Sequence, residues 1–253
     1  DFYRDRFADA GDFTFLFVGN FTMEEMRPLV EQYLGALPVT GRTETWKDTG
    51  MRPPKGVIKK EVRKGVDDKT LVALIFTGPF AWNYENRYVI SSLEELLTIR
   101  LREEIREEKG GTYGVGVNIG VDKYPEEDYT LTISFGTNPD RVDELLETLF
   151  GVLEDLRTNP PSEEDVNKIK EIQRRGREKG MKENGWWLGK LRGTLVNNEP
   201  LDEWLQYESL VNALDAETLR EAAAKYINLD NYIQVVLYPE ADASMQKDSE
   251  SGE

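Results

Sequence analysis

Histidine and cysteine are both absent from the 253-residue sequence. Without these ligands the chain cannot build the usual structural zinc site, an iron–sulfur cluster or a haem site, and it cannot form a disulfide. Ser-His-Asp and Cys-His nucleophiles are excluded for the same reason. Any acid–base chemistry would depend on carboxylates, lysine or tyrosine, and we expect no cofactor in this chain.

Basic residues are outnumbered, with 32 Lys and Arg against 48 Asp and Glu, which gives a net charge of −16. Such a charge repels phosphate backbones, so nucleic acid is not an expected partner. No apolar run reaches the roughly 20 residues of a transmembrane helix, so no membrane span is predicted. The sequence starts at Asp1 without a methionine or a basic-then-apolar leader, and we interpret it as part of a longer polypeptide.

The order of strand-like and helix-like patterns predicts an α+β fold. Short apolar or alternating runs predict strands, and apolar residues at three- and four-residue steps predict helices. Strands are predicted at 13–19, 57–62, 70–77, 113–121, 129–135 and 232–238. Helices are predicted at 22–34, 84–108 and 140–156, from Ser162 to about Gly185, and near 186–197, 202–213 and 216–227. Because strand pairs adjoin in sequence, we expect a mostly antiparallel sheet with helices on one face.

Composition divides the chain into four segments. Residues 1–38 contain the strand at 13–19 and a helix that Thr22 and Glu25 open as a capping box. Residues 39–54 are polar and rich in glycine and proline, which is typical of a linker. Residues 55–240 hold the main α+β domain. Residues 241–253 are small, polar and acidic, and we expect a disordered tail.

The densest polar segment, at residues 101–114, reads LREEIREEKGGTYG. Its four glutamates are typical of a solvated helix face with pairs at three- and four-residue spacing. A magnesium or calcium site made of these carboxylates is disfavoured, because successive glutamates on a helix point in different directions.

Arg106 and Tyr113 flank the glycine pair Gly110-Gly111 in this segment. A sharp turn there would let a helix-terminal guanidinium and a strand-initial phenol point into one space. Arginine offers a planar fork of donors and tyrosine a single directed O–H group, so together they could hold a peptide carbonyl. The alternative is that Arg106 pairs with a neighbouring glutamate and Tyr113 is simply packed.

At this segment the sequence resembles a known family. The stretch REEKGGTYGV, with Arg106 and Tyr113 seven residues apart at the end of a long helix, is similar to a signature in the non-catalytic C-terminal half of insulinase/pitrilysin-type zinc metallopeptidases. Residues 2–38 resemble the end of the third structural repeat of these enzymes. The run LDNYIQVVLYPE (229–240) resembles the strand that closes the fourth.

The resemblance implies a metallohydrolase-type two-layer unit preceded by the terminal strand and helix of a related unit. Family members close two halves around a peptide, and the first half binds zinc through H-x-x-E-H. That motif is absent here, so zinc is expected in the other half, on the same polypeptide or on a partner chain. No hydrolysis is expected from this chain alone. By family analogy, the bacterial periplasm or cell envelope is favoured.

Carried over from the family, Arg106 and Tyr113 would bind substrate carbonyls and stabilise the tetrahedral oxyanion. Gly111 and Gly114 would keep the turn open for the substrate backbone. Thr112 departs from the apolar residue or glycine that relatives often carry before the tyrosine. The alternative function is a non-peptidase structural subunit of the same fold, similar to a processing-peptidase partner or a respiratory-complex core protein.

Three further groups are weaker candidates. Trp186 and Trp187 could form a stacking platform, although we expect one of them in the core. The basic stripe at 168–182 is interpreted as a solvated face, with a chamber wall as the functional alternative. The aromatic residues at positions 80, 82 and 84 could line a pocket or staple the start of the long helix.

Overall fold

The structure is a computed structural model that describes residues 1–66, 69–108, 110, 112 and 114–240, with the backbone alone at 106–108. The predicted acidic tail at 241–253 lies outside the described residues. The chain divides into two compact units. One comprises Asp1–Met51 and Arg175–Trp204, and the other comprises Arg52–Arg174 and Leu205–Glu253.

The helices and strands follow the predicted order closely from residue 57 onwards. In chain order they are α1 (Phe2–Arg6), α2 (Met23–Tyr33), β1 (Val57–Arg63), β2 (Thr70–Pro79), α3 (Tyr84–Leu101), a π-helical segment (Arg102–Glu108), β3 (Val115–Asp122), β4 (Asp128–Thr137), α4 (Val142–Thr158), α5 (Glu163–Gly180), α6 (Asn184–Asn197), α7 (Tyr207–Ala213), α8 (Ala216–Tyr226) and β5 (Tyr232–Tyr238). Short 3-10 turns at Pro139–Arg141 and Leu201–Gln206 precede α4 and α7.

The five strands form one sheet in the order β1-β5-β2-β4-β3. Three of its four strand pairs are antiparallel, and β1 pairs with β5 in parallel. The α+β fold class is thereby confirmed. The register aligns Phe76 of β2 with Leu131 of β4 and Tyr232 of β5, so these side chains share one face.

The core of the larger unit lies between that face of the sheet and the helices. On β2 the residues Val72, Leu74 and Phe76 are buried, whereas Leu71 on the other face is 58% exposed. The helices α3, α4 and α8 pack on one another, and their buried leucines, together with Tyr226, cover the sheet. Burial of apolar surface on this scale is the main favourable contribution to folding.

Caps set the helix boundaries where the sequence predicted them. Thr22 and Glu25 form the predicted capping box, with the Glu25 N–H donating to Thr22 Oγ1 at 3.2 Å. Ser162 caps α5 by accepting from the Asp165 N–H at 3.1 Å. Such caps satisfy backbone donors that have no partner within the helix.

The predicted strand at 13–19 is not formed. Phe13, Phe15 and Phe17 lie in chain without regular structure and are 37%, 44% and 49% exposed. A strand requires a hydrogen-bonded neighbour, and none of the strands described in this chain pairs with residues 13–19. The strand prediction for 13–19 is therefore wrong for the described structure, because β-branched and aromatic residues form a strand only where another strand lies beside them.

Asp9 ties the start of the smaller unit to the end of the predicted linker. Its carboxylate accepts from the N–H groups of Gly11 at 2.8 Å, Thr40 at 3.0 Å and Arg42 at 3.2 Å, and from the Thr40 hydroxyl. These hydrogen bonds lower the pKa of Asp9 to about 2. The segment predicted to be a linker is therefore anchored around residues 40–42.

Within the described ranges, no helix combines the length and the apolar character needed to cross a bilayer.

Candidate functional site

The end of the long helix is anchored in the core of the larger unit. Leu101 and Ile105 are fully buried, at 0% exposure each, and the π-helical segment packs against α4 and β3. Because the Ile105 side chain is held in the core, the position of the backbone at Arg106, the next residue, is fixed as well.

Arg100 connects this helix end to α4 and α5. Its guanidinium lies 3.8 Å from Glu104, 3.7 Å from Asp155 and 3.7 Å from Asp165. Asp165 is buried and also accepts from the Ser162 hydroxyl at 2.8 Å. The three carboxylates surround one half-buried cation, which orients the last turn of α3 relative to both neighbouring helices.

The connection from this helix to β3 is short and locally braced. Gly110 has a positive φ of 58°, a left-handed conformation that glycine adopts at little cost. The Thr112 hydroxyl accepts from the Gly114 N–H and donates to the Gly114 carbonyl, both at 2.8 Å. The unusual threonine before the tyrosine therefore stabilises the turn into β3.

Of the four predicted site residues, the structure fully describes only Gly114. Gly114 is half-buried, and a Cβ atom added there would meet nothing within 4 Å. Gly111, Tyr113 and the side chain of Arg106 lie outside the described residues. That Arg106 and Tyr113 point into one space stays a prediction.

The glutamates that are described behave as a solvated, ion-paired face. Glu104 pairs with Arg100 one turn earlier, and Glu103 lies 3.9 Å from Lys168 of α5. The side chains of Glu107 and Glu108 are not among those described. Ile105, in the middle of the same run, is buried, so the described part of the run has one apolar side turned to the core and charged side chains turned to solvent.

Two depressions lie on the larger unit. A groove of about 370 Å³ runs between the end of α3 and α5, with Ile99 and Ile172 in its lining and Arg102 at its edge. A cleft of about 760 Å³ lies at the opposite end of the sheet from Val115, where Arg52 and Glu126 form a 2.7 Å ion pair. The groove borders the last turn of α3 and the start of the π-helical segment, and the cleft does not.

Sequence reasoning missed two half-buried carboxylates on α3. Glu94 accepts from the Ile119 N–H of β3 at 3.3 Å, and burial raises its pKa. Burial and the neighbouring Glu94 raise the pKa of Glu95 to about 7. Among the described residues, Glu95 Oε2 is buried without a hydrogen-bond partner. The only available signal was two adjacent acidic residues within the apolar run from Leu93 to Leu97.

The structure corrects or clarifies the three weaker candidates. Trp186 and Trp187 are both half-exposed and form an edge-to-face pair with centroids 4.9 Å apart, so the expectation that one lies in the core is wrong. Trp187 packs instead near Trp204, and its indole donates to the Met181 carbonyl at 2.9 Å. Thr194 is the only buried residue of α6.

The basic stripe is largely a paired, solvated face. Lys168 pairs with Glu164, Arg174 with Glu208 and Lys182 with Glu178, at 2.9 to 3.1 Å. Phe80 is buried against Tyr226, with ring centroids 5.9 Å apart, and so belongs to the core. Trp82 is half-exposed beneath the guanidinium of Arg87.

A family described as "Peptidase M16 inactive domain" matches residues 1–173, a range that includes Arg106 through Gly114. The chain belongs to this M16 family. The resemblance inferred from the sequence is thereby confirmed, as is the interpretation that the chain is a non-catalytic part of proteins related to zinc proteases.

Two curated relatives of this M16 domain are named zinc proteases. A "Zinc protease PQQL-like" of Arabidopsis thaliana is 28% identical over 206 residues, which cover 76% of this chain and 21% of that protein. A "Probable zinc protease PqqL" of Escherichia coli is 23% identical over 247 residues, covering 92% of this chain and 25% of that protein. The chain therefore spans about a quarter of these relatives.

Solved structures share the fold of this M16 domain. The periplasmic protease PqqL from Escherichia coli superposes with a TM-score of 0.72 at 20% identity, covering 88% of this chain and 25% of that one. A protease from Helicobacter pylori gives a TM-score of 0.74 at 20% identity over 88% of this chain and 54% of that one. An M16 inactive domain from Pseudomonas fluorescens gives 0.70 at 19%, with coverages of 89% and 53%.

The residues of this domain do not fit the zinc that the relatives' names imply. Histidine and cysteine are absent from the sequence. Across the part of the chain that the structure describes, no three acidic side chains gather closely enough to hold a metal. Since zinc in peptidases is held by histidine together with a carboxylate, we assign no chemical step through zinc to this chain.

Proposed function

We propose that this chain is the non-catalytic, substrate-binding portion of a zinc metalloendopeptidase that degrades peptides in a closed chamber. The observation that carries the proposal is the M16 family match, which includes the segment from Arg106 to Gly114. The zinc-bearing half would be the principal partner, on the same polypeptide or on a second chain. The relatives' names and their fourfold greater length support this arrangement.

Within that function, Arg106 and Tyr113 would hold carbonyl oxygens of the peptide near its scissile bond. The anchoring of Ile105 in the core and the start of β3 at Val115 support this role, because both ends of the intervening segment are fixed. A guanidinium and a phenol that are held in place stabilise a developing oxyanion without being reorganised during the reaction. Gly111 and Gly114 would leave room for the peptide backbone.

The kinetic test uses a protein in which this chain is joined to its H-x-x-E-H half. We expect Arg106→Ala and Tyr113→Phe each to lower kcat/KM for a fluorogenic peptide by about 100-fold, the scale of losing one oxyanion donor. Arg192→Ala, at an exposed arginine outside the candidate segment, and Tyr124→Phe, at an exposed tyrosine, are the controls. Unchanged kinetics in both test variants would remove the proposed role.

A second test separates a peptidase portion from a structural subunit. The 253-residue chain alone is expected to bind an unfolded peptide without cleaving it, because it has no histidine to hold zinc. Chelator-sensitive cleavage by the purified chain would contradict the proposal. If the joined protein with an intact H-x-x-E-H motif cleaves no peptide, the structural-subunit alternative is favoured.

We also propose that residues 1–38 end a preceding related unit and that the protein acts in the periplasm or cell envelope. The exposed aromatic residues Phe13, Phe15 and Phe17 support the first point, since a neighbouring sheet would cover them. The periplasmic relative from Escherichia coli supports the second. Fractionation of cells that express the full-length protein tests the location. Hydrogen exchange at 13–17, with and without the preceding sequence, tests the unit boundary.

A further inference from the structure

The two edges of the sheet differ in how they are protected. The edge strand β1 carries Lys59, Lys60, Glu61 and Arg63, and charges of this kind discourage pairing with another strand. The opposite edge strand, β3, has the sequence VGVNIGVD and no charged residue before Asp122. A long edge strand without charges is a template for an added strand.

The register shows which backbone groups of β3 face outward. The Phe80 N–H donates to the Glu127 carbonyl at 2.9 Å, so alternate residues of β4, including Leu131, turn their polar backbone groups towards β2. Ile119, which lies opposite Leu131, must therefore turn its own N–H and C=O away from the sheet. The observed hydrogen bond from the Ile119 N–H to Glu94 Oε1 confirms this direction.

The same alternation turns the N–H groups of Val117 and Val121 outward. Among the described residues, neither of these two amides meets an acceptor. Both valines are half-buried, and their neighbours Gly116, Asn118 and Gly120 are exposed. The edge thus presents a row of donors and acceptors along an accessible strand.

Glu94 occupies one outward N–H group of this edge through a single hydrogen bond. Its hydrogen bond to Ile119 is long, at 3.3 Å, and its carboxylate is partly removed from water. A peptide carbonyl could satisfy the Ile119 N–H instead, and Glu94 would then return to solvent. The exchange replaces a partly desolvated charge with a neutral backbone hydrogen bond.

The side chains of β3 also leave space for an added strand. A Cβ atom built on Gly120 meets nothing within 4 Å, so there is open space beside Gly120, whereas one built on Gly116 would lie 3.3 Å from Ser134 Oγ. The other face presents Val117, Ile119 and Val121, against which apolar side chains of a neighbouring strand would pack.

We propose that an extended peptide binds as a sixth strand along Val115–Val121 and displaces Glu94 from the Ile119 N–H. The inference rests on the proposed function and specifies where the substrate backbone runs. Because β3 begins two residues after Tyr113, a peptide on this edge would continue past the proposed carbonyl-binding segment. A second copy of the chain is a weaker occupant, since two chains that each carry a charge of −16 repel.

The test uses the 253-residue chain and a labelled peptide of about ten residues that alternates valine and threonine between terminal lysines. Two further versions of the peptide carry N-methyl groups on alternate residues. One version is methylated on the odd-numbered residues and the other on the even-numbered residues. An added strand directs only every second amide towards β3. We expect one version to lose affinity by about 10-fold or more and the other to stay within about 3-fold of the parent. Equal effects, or no binding, overturn the proposal.

Variants of the chain supply the matching controls. Glu94→Ala is expected to tighten binding by about 3-fold, and Glu85→Ala, at an exposed glutamate of the same helix, is expected to leave it unchanged. Val117→Pro removes one outward N–H and should weaken binding by about 10-fold, whereas Val117→Thr should not. If Val117→Pro does not fold, the affinities of the two N-methylated peptides for the parent chain still test the proposal.

Exchange and sedimentation complete the test. Peptide binding is expected to slow hydrogen exchange at Val117, Ile119 and Val121. Peptide binding without slower exchange at these amides contradicts the edge site. It leaves the proposed function intact, because that function is tested by the kinetics of the Arg106 and Tyr113 variants. If concentration-dependent dimers form instead and exclude the peptide, a second copy is the occupant and the proposal fails.

Discussion

Ser92 Oγ accepts a hydrogen bond from Gln173 Nε2 at 2.8 Å, and both residues are buried where α3 meets α5. The Ser92 hydroxyl donates to the Tyr88 carbonyl at 2.9 Å, and the Tyr88 phenol donates to Gln173 Oε1 at 2.7 Å. The three side chains form a closed polar network inside an apolar interface. Such networks stabilise a fold only while every member is satisfied.

Removal of one member of this network should therefore be costly. We expect Ser92→Ala to lower the free energy of unfolding by about 1–3 kcal/mol, because the Gln173 amide loses its buried acceptor. Urea denaturation measures the change. Ser91→Ala, one residue earlier on the exposed face of α3, is the control and should change stability by less than about 0.5 kcal/mol. Equal effects would show that the network is not the cause.

Glu95 should make the larger unit less stable as pH rises. The folded protein holds the proton up to about pH 7, while the unfolded chain releases it near the ordinary value for glutamate. Stability is therefore fully present at low pH and falls between about pH 4.5 and 7. Partial exposure of the side chain limits the loss to about 1–2 kcal/mol.

Glu95→Gln is expected to flatten this dependence and to stabilise the protein at pH 8. Unfolding midpoints measured from pH 5 to 8 test the prediction. Glu147→Gln, at an exposed position on α4, provides the control and should follow the parent protein. A parent protein that gains stability over this interval would contradict the assignment of a protonated Glu95.

Asp9 should have the opposite effect in the smaller unit. Its pKa of about 2 lies below the value of an unfolded aspartate, so its contribution is present above about pH 4 and is lost as pH falls towards 2. At neutral pH, Asp9→Asn replaces an acceptor with a partial donor facing three backbone N–H groups. Hydrogen exchange at Thr40 and Arg42 is expected to accelerate about 10-fold or more, whereas Asp12→Asn should leave it unchanged.

Ile105 should couple core packing to the proposed substrate site. We expect Ile105→Ala to cost about 2–5 kcal/mol, because it opens a cavity at a fully buried position. Ile172→Ala, at a side chain that is 49% exposed, is the matched control and should cost far less. In the joined protease, the milder Ile105→Val should lower kcat/KM more than Ile172→Ala does. If Ile172→Ala lowers kcat/KM more than Ile105→Val does, Ile105 does not position the proposed substrate site.

The sequence predicted elements whose stabilising contacts are local. The capping box at Thr22 and the cap at Ser162 lie within four residues of their partners, and the sequence predicted the capping box at the first position and a helix start at the second. The period of apolar residues placed α3 and all five strands of the sheet correctly to within a few residues. Local hydrogen bonds and burial patterns depend on residues that are close in sequence, which is why these predictions succeeded.

Features that depend on distant partners could not be predicted in the same way. Phe13, Phe15 and Phe17 have strand propensity, but only a neighbouring strand makes a strand of them. The raised pKa of Glu95 arises mainly from burial, which its place in the sequence does not reveal. For the candidate site, the sequence predicts the segment from Arg106 to Gly114, which stays a prediction, and the structure describes its two flanks at Ile105 and Val115.

The parallel pairing of β1 with β5 has a consequence for synthesis of the chain. In the part of the chain that the structure describes, the only strand beside β1 is β5, which lies about 175 residues further along, as the hydrogen bond from the Gly56 N–H to Asn231 Oδ1 illustrates. During translation, the pairing of β1 with β5 therefore cannot form until Tyr238 has left the ribosome. Its lysines, which repel other strands, would keep it soluble over that interval, and truncation before Tyr232 would leave β2 as the new sheet edge.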